Sequence, residues 1–120
     1  MEGNETVLNP NDCKPCRGGV PPLTREEALR LLPEAPGWTL TADCTKIEKT
    51  FTFGDFRATF EFVKMVAGLA DAEWHHPVIS FGWGFCTVVL HTKKIQGLHA
   101  YDFFMAGKIN SLKRLFRKIP

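Results

Sequence analysis

Two adjacent histidines, His75 and His76, stand before Pro77 in the middle of the chain. Imidazole has the side-chain pKa nearest to neutral pH, so a histidine can donate or accept a proton under physiological conditions. Two such groups side by side can act as acid and base toward one small substrate. The alternative is structural, because histidine is also a frequent partner of the last carbonyl groups of a helix.

Cys13 and Cys16 form a C-x-x-C pair near the N-terminus, and Cys44 and Cys86 stand alone. A zinc site requires a second ligand pair at comparable spacing, which the adjacent histidines do not supply. A redox motif requires a helix that begins directly after a strand, whereas prolines and glycines surround this pair. We therefore expect no metal and no cofactor, with reduced thiols in a loose N-terminal segment.

The chain has 120 residues, which is enough for one globular domain around a single core. Hydrophobic residues make up 44% and charged residues 23%, values that exclude a disordered or fibrous protein. The net charge of +2 is too small to indicate a nucleic-acid-binding protein. The sequence contains neither an apolar run of membrane-spanning length nor the features of a signal peptide, so we expect a cytoplasmic protein without membrane contact.

The elements that must position the histidines follow from hydrophobic periodicity. Residues 1–23 show none and are predicted to form an irregular arm, followed by one domain over residues 24–120. Thr24 and Glu27 form a capping box that begins a first helix, and Pro33 ends it. Residues 38–40 and 47–53 are then predicted to form a β-hairpin.

A second helix is predicted to begin at the N-cap Asp55 and to end near the histidine pair, because Pro77 disfavours helical geometry at His76. Its predicted apolar face consists of Phe56, Phe60, Val63, Ala67 and Ala70. Residues 78–83 and 85–92 are predicted to form a second hairpin. The third helix follows Gly97, with an apolar stripe at Met105, Ile109, Leu112, Phe116 and Ile119.

This order, αββαββα, predicts an α+β fold in which three helices cover one face of a four-stranded antiparallel sheet. Such a sheet has open edges with unpaired backbone groups, which a second copy of the chain can pair with. We therefore expect a homodimer or a dimer of dimers.

Several of these residues together resemble the pterin-4a-carbinolamine dehydratase family. The resemblance covers nearly the whole chain from residue 13, and it depends on the CRGGVPPL run over residues 16–23, Asp71, the His75-His76-Pro77 segment, Trp83 and Asp102. It implies a sheet backed by three helices that binds 4a-hydroxytetrahydropterin and expels water to give quinonoid dihydropterin. It also implies that His75 and His76 bind the pterin and transfer protons, that Asp102 supports them, and that Pro77 and Trp83 contact the pterin.

Asp102 also has a structural interpretation. It falls in the first turn of the third helix, where a carboxylate is stabilised by free backbone amides and by the helix dipole. The sequence leaves both roles open.

The sequence departs from the family pattern at the position ten residues after Trp83, where the family has a third histidine and this chain has Lys93. A lysine ammonium offers no acceptor, and its ordinary pKa of about 10.4 leaves almost no free base at neutral pH. His91 lies two residues upstream on the same predicted strand face, about 6–7 Å away. We therefore expect His91 to replace the missing third histidine only in part. The family's serine before the third helix is replaced by His99, which predicts a weaker helix cap.

Two functions follow. The first is a protein of this fold with weak or no dehydratase activity, similar to a divergent branch that lacks the full histidine set, occurs with alpha-carboxysome genes and acts as a Rubisco assembly factor. Lys93 favours this interpretation, in which the Rubisco large subunit is the client. The alternative is an active 4a-hydroxytetrahydrobiopterin dehydratase, a hydro-lyase of pterin recycling that uses His75, His76 and in part His91.

Overall fold

The structure, a computed structural model, describes residues 20–117 of the chain. Most of the predicted arm, including the C-x-x-C pair, lies outside the described residues, and so does Ile119 of the predicted apolar stripe. Within the described range, no helix is both long enough and apolar enough to cross a membrane.

The first helix, α1, covers Arg25–Leu31 and continues into a short 3-10 helix over Leu32–Glu34. Its predicted capping box is confirmed. The Thr24 hydroxyl accepts the Glu27 amide at 3.2 Å, and the Glu27 carboxylate accepts the Thr24 amide at 2.8 Å. Pro33 lies in the 3-10 helix, just beyond the end of α1, as its missing amide proton predicts.

Four strands form one antiparallel sheet: β1 over Thr39–Leu40, β2 over Ile47–Thr52, β3 over Val78–Gly82 and β4 over Phe85–Leu90. Both predicted hairpins are confirmed, and β2 pairs with β4, so the order across the sheet is β1-β2-β4-β3. The short β1 and the apolar β3 are the two edges. The predicted homodimer stays a prediction.

The second helix, α2, covers Phe56–Glu73 and the third, α3, covers Ala100–Arg117. The carboxylate of Asp55 accepts the Ala58 amide, so the predicted N-cap of α2 is confirmed. The core lies between the helices and one face of the sheet, and its largest members are Ile47, Phe62, Val66, Leu90, Leu98, Phe103, Met105 and Ile109. The predicted α+β arrangement is therefore confirmed.

The buried face of α2 differs from the predicted one. The buried residues are Thr59, Phe62, Val66 and Ala70. Phe56 and Phe60 are 48% and 37% exposed, and their rings lie 6.0 and 6.3 Å from the ring of Phe81 at the β3 edge. The prediction was right for Ala70 and wrong for Phe56 and Phe60. Apolar residues occupy two adjacent stripes of this helix, and periodicity alone does not select the stripe that meets the sheet.

The end of α2 sets the backbone of His75. Trp74 caps the helix in the left-handed conformation, with φ of 54°, and the His75 amide donates to the carbonyl of Ala70 at 3.1 Å. This is a common way to satisfy the last carbonyl groups of a helix and to reverse the chain. The predicted helix end beside the histidine pair is confirmed.

Glu73, the last residue of α2, binds α3. Its carboxylate accepts the Tyr101 hydroxyl and, at 2.9 Å, the Lys108 ammonium. These hydrogen bonds, first that of Tyr101 and then that of Lys108, lower the pKa of Glu73. The segment that leads into His75 is thus held against α3.

This pKa shift predicts a pH-dependent contribution of Glu73 to stability. Because the folded-state pKa lies below the ordinary value, the contribution is fully present above the unfolded pKa and is lost as pH falls through the folded one. We expect Glu73→Gln to lower the free energy of unfolding by about 1–2 kcal/mol at pH 7, with the difference shrinking below about pH 4. Urea denaturation at both pH values measures this.

Glu61→Gln is the matched control for Glu73→Gln. Glu61 pairs with Arg57 and Lys64 on the exposed surface of α2, so its replacement should change stability by less than about 0.5 kcal/mol at either pH. An equal loss for Glu73→Gln at neutral and acidic pH would contradict the assignment.

Candidate active site

His75 and Asp102 form a buried pair between the end of α2 and the start of α3. Nε2 of His75 lies 2.6 Å from Oδ1 of Asp102, and the two side chains are 7% and 0% exposed. A carboxylate this deeply buried requires several hydrogen bonds. The other oxygen, Oδ2, accepts the Thr92 hydroxyl at 2.8 Å and the His99 backbone amide at 3.0 Å. Asp102 is therefore placed to orient His75.

The tautomer of His75 follows from this pairing. An ionised carboxylate only accepts hydrogen bonds, so the contact with Asp102 places a proton on Nε2, and in the neutral form of the ring Nδ1 then holds the lone pair. The Tyr101 ring packs edge-on against the imidazole, with centroids 5.2 Å apart at 83°. In the part of the chain that the structure describes, Nδ1 has no hydrogen-bond partner, which leaves it able to accept a proton.

His76 occupies a different environment from its neighbour. Its Nε2 lies 2.9 Å from Oδ1 of Asp71, and the side chains are 57% and 81% exposed. Pro77 then leads into β3 and is partly buried. An exposed pair of this kind contributes little to stability. The two histidines thus provide one buried, oriented imidazole and one imidazole open to solvent.

His99 lies at the N-terminal end of α3. Its Nδ1 accepts the Tyr101 amide at 3.1 Å, and its own amide donates to Asp102. The pattern is a variant of the capping box: the imidazole accepts the amide of Tyr101 rather than that of Asp102, whose side chain accepts the His99 amide. The cap that we expected to be weakened is therefore present. The same Asp102 carboxylate accepts the His99 amide at the start of α3 and binds His75; its predicted catalytic role stays a prediction.

Lys93 and His91 flank Thr92. Thr92 turns inward to Asp102, which places the backbone of both neighbours beside the buried pair. Lys93 is exposed, as predicted, and begins a 3-10 helix over Lys93–Ile95. His91 is partly buried, and burial lowers its pKa; Lys46, Lys93 and His75 lower this pKa further, and only the carboxylate of Asp102 raises it. The lowered pKa favours the neutral form of His91 at neutral pH.

Trp83 lies at the far end of the sheet from the histidines. It occupies the turn between β3 and β4 and is 70% exposed. The length of β3 separates it from Pro77 by about 15–20 Å. Within one chain the structure does not bring Trp83 together with His75, so we leave it out of the site.

Three contributors were not predicted from the sequence: Thr92, Tyr101 and Glu73. Thr92 reaches Asp102 across a loop, and no local spacing links the two. Tyr101 and Glu73 meet through the packing of α3 on α2. The sequence offered one signal for Tyr101: it directly precedes Asp102, and a buried tyrosine requires a hydrogen-bond partner for its hydroxyl.

No three histidine, cysteine, aspartate or glutamate side chains within residues 20–117 are arranged to bind a metal ion. What the described residues provide is proton-transfer chemistry: an oriented imidazole, a second imidazole at the surface and, nearby, His91 with a lowered pKa. This set suits an acid- and base-assisted elimination from a small heterocycle.

A family model described as pterin 4 alpha carbinolamine dehydratase matches residues 21–112. The curated protein named "Putative pterin-4-alpha-carbinolamine dehydratase 1", from Cupriavidus pinatubonensis, is 54% identical over 105 residues, which is 88% of this chain and 90% of that protein. A relative from Methylococcus capsulatus, named in the same way, is 48% identical over 88% of this chain and 92% of its own length.

Solved structures share the fold. The "transcriptional coactivator/pterin dehydratase" of Brucella melitensis superposes with a TM-score of 0.71 at 30% identity, over 76% of this chain and 97% of that one. A pterin dehydratase-like protein described as a RuBisCO assembly factor in the alpha-carboxysome superposes at 0.56 with 21% identity, over 66% and 92%, a likeness of fold alone. Given the family match over most of its length and relatives about half identical to it, the chain belongs to the pterin 4 alpha carbinolamine dehydratase family.

Proposed function

We propose that this protein is a pterin-4a-carbinolamine dehydratase, which eliminates water from 4a-hydroxytetrahydropterin to give quinonoid dihydropterin. The observation that carries the proposal is the buried His75–Asp102 pair, which leaves Nδ1 of the imidazole as a base. The names of the relatives at 54% and 48% identity support the same activity. The assembly factor, at 21% identity, is a weaker guide to function.

The elimination breaks the C4a–O bond and moves one proton overall from a ring nitrogen to the departing hydroxyl. In our assignment, Nδ1 of His75 accepts the ring proton, and Asp102 stabilises the imidazolium that forms. His76, paired with Asp71, protonates the hydroxyl so that it leaves as water. The solvent exposure of His76 allows its proton to be replaced from water after each turnover.

Lys93 limits the proposed activity. An ammonium can donate but cannot accept, so it does not replace an imidazole in proton transfer. The neutral His91 supplies an acceptor nearby, but it projects from a position two residues away, and catalysis depends on placement within about 1 Å. We therefore expect a slower enzyme than family members with three histidines.

Replacement of the orienting carboxylate tests the proposal. Asp102→Asn should reduce kcat/KM for water elimination by about 10²-fold or more, because a neutral amide neither fixes the tautomer of His75 nor stabilises its protonated ring. The assay follows the formation of quinonoid dihydropterin above the uncatalysed rate, with circular dichroism to verify folding.

Asp55→Asn is the matched control for this experiment. Asp55 caps α2 away from the histidines, and asparagine caps a helix equally well, so activity should not change. Folded wild-type protein without activity, or a folded Asp102→Asn variant with full activity, would reject the proposal.

Restoring the third histidine tests the limiting role of Lys93. Lys93→His should raise kcat by about tenfold or more, because it returns a base to the family position. Lys94→His is the control, because it places an imidazole at the neighbouring exposed position instead of at the family position. This variant should leave kcat unchanged. If both variants match an active wild type, the third position does not limit the reaction.

A second candidate function is protein binding without catalysis, as in the assembly factor that shares the fold. Lys93 favours it, because it removes one imidazole from the family set. The exposed rings of Phe56, Phe60 and Phe81 at the sheet edge offer a contact surface. In this role the protein, as a homodimer or a dimer of dimers, binds the Rubisco large subunit as its client.

Binding to Rubisco is tested directly by a pull-down with purified large subunit at micromolar concentration. This candidate predicts capture by the wild type, loss of capture on Phe60→Ser and retention on Asp102→Asn, because the surface and the buried site are separate. Phe60 is exposed enough for its replacement to leave the fold intact. An absence of capture by the wild-type protein would remove the candidate.

A further inference from the structure

Three basic side chains lie together beside the His75–Asp102 pair. The register of β2 with β4 sets Ile47 opposite Leu90, so Lys46 and His91 are opposite each other just past the end of the ladder. Lys93 follows directly on Thr92, whose hydroxyl binds Asp102, so the backbone of Lys93 also lies beside the buried pair. The electrostatic effects of Lys46, Lys93, Asp102 and His75 on His91 agree with this grouping.

The two lysines of this group have no carboxylate partner within residues 20–117. The ammonium of Lys46 lies 3.5 Å from the Thr45 hydroxyl. Within residues 20–117, neither Lys46 nor Lys93 forms an ion pair. The carboxylates nearby have other donors. Asp102 binds His75, Thr92 and His99, Asp71 binds His76, and Asp43 binds Thr41 and Thr45.

The charge of Lys46 acts on Asp43. Hydrogen bonds from Thr45 and Thr41 lower the pKa of Asp43 most, and the charge of Lys46 adds to them. Asp43 therefore offsets part of the charge of Lys46. Among the described residues no carboxylate forms an ion pair with the Lys93 ammonium, and the exposed Lys94 is next to it.

We propose that the substrate is a pterin whose side chain carries an anionic group, and that Lys93 and Lys46 bind this group while His91 donates a hydrogen bond to it. This inference rests on the proposed function, in which the substrate is a pterin. The pterin ring is uncharged at neutral pH. It therefore offers no negative charge that could pair with the Lys93 ammonium, which replaces the third histidine. A lysine ammonium on its flexible stem is well suited to a phosphate or carboxylate beyond the ring.

The anionic group is a phosphate ester or a carboxylate, and charge favours the phosphate. A phosphate monoester carries about −1.5 to −2 at pH 7 and three acceptor oxygens. Two ammonium groups can bind different oxygens of one phosphate, whereas a carboxylate has a single charge to share between them. We expect the phosphate to bind more tightly than the carboxylate.

Binding of three stable oxidised pterins tests the proposal by fluorescence titration of the full chain. The probes are 6-hydroxymethylpterin, its phosphate monoester and pterin-6-carboxylate. At low salt we expect the phosphate to bind about five- to tenfold more tightly than the alcohol, with the carboxylate between them. Raising the salt to about 0.2 M should narrow the difference, because these charges are exposed.

Two variants assign the effect to the proposed residues. Lys93→Gln should abolish the preference for the phosphate while leaving affinity for the alcohol unchanged, and Lys46→Gln should reduce it. Lys64→Gln, which removes an exposed cation from α2, should leave the preference intact. Equal affinity for the three pterins, or a preference that survives Lys93→Gln, would overturn this inference and leave the dehydratase proposal standing. Binding of none of the three would reject both.

Discussion

The buried hydrogen bond between His75 and Asp102 is the constraint on which the site depends. A carboxylate inside a protein is tolerated only when its oxygens are occupied, and the donors to Asp102 come from three parts of the chain: His75 after α2, Thr92 after β4 and the His99 amide before α3. The fold must bring these segments together before the carboxylate can be buried. The geometry that would perform proton transfer is therefore also part of what holds the helices and the sheet in register.

Local signals were sufficient for most of the fold. The Thr24 capping box, the Asp55 N-cap and the alternation of β2 each depend on neighbouring residues, and each is found in the structure. The face of α2 was not predictable in this way, because two apolar stripes compete and only tertiary packing chooses between them. The same holds for the cap of α3, where the His99 imidazole replaces a hydroxyl through a backbone arrangement that residue type does not indicate.

The site itself was only partly accessible from sequence. Resemblance to the family identified His75, His76 and Asp102, and the structure brings the first and the last together. It does not reveal that Asp102 has no oxygen left for a ligand, or that Tyr101 links His75 to Glu73. Lys93 has two consequences in this site, since the charge that makes it a poor base also makes it a partner for an anion. Under the two proposals, the departure from the family pattern at Lys93 slows the reaction and adds a group that binds an anion.

The protonation state of His75 tests the central claim most directly. Nitrogen-15 NMR of the histidine side chains at neutral pH distinguishes a protonated ring nitrogen from one that holds a lone pair. The structure predicts that His75 is a single tautomer, with the proton on Nε2 toward Asp102 and the lone pair on Nδ1. A proton on Nδ1, or a solvent-averaged mixture of tautomers, would contradict the pairing and the role assigned to His75.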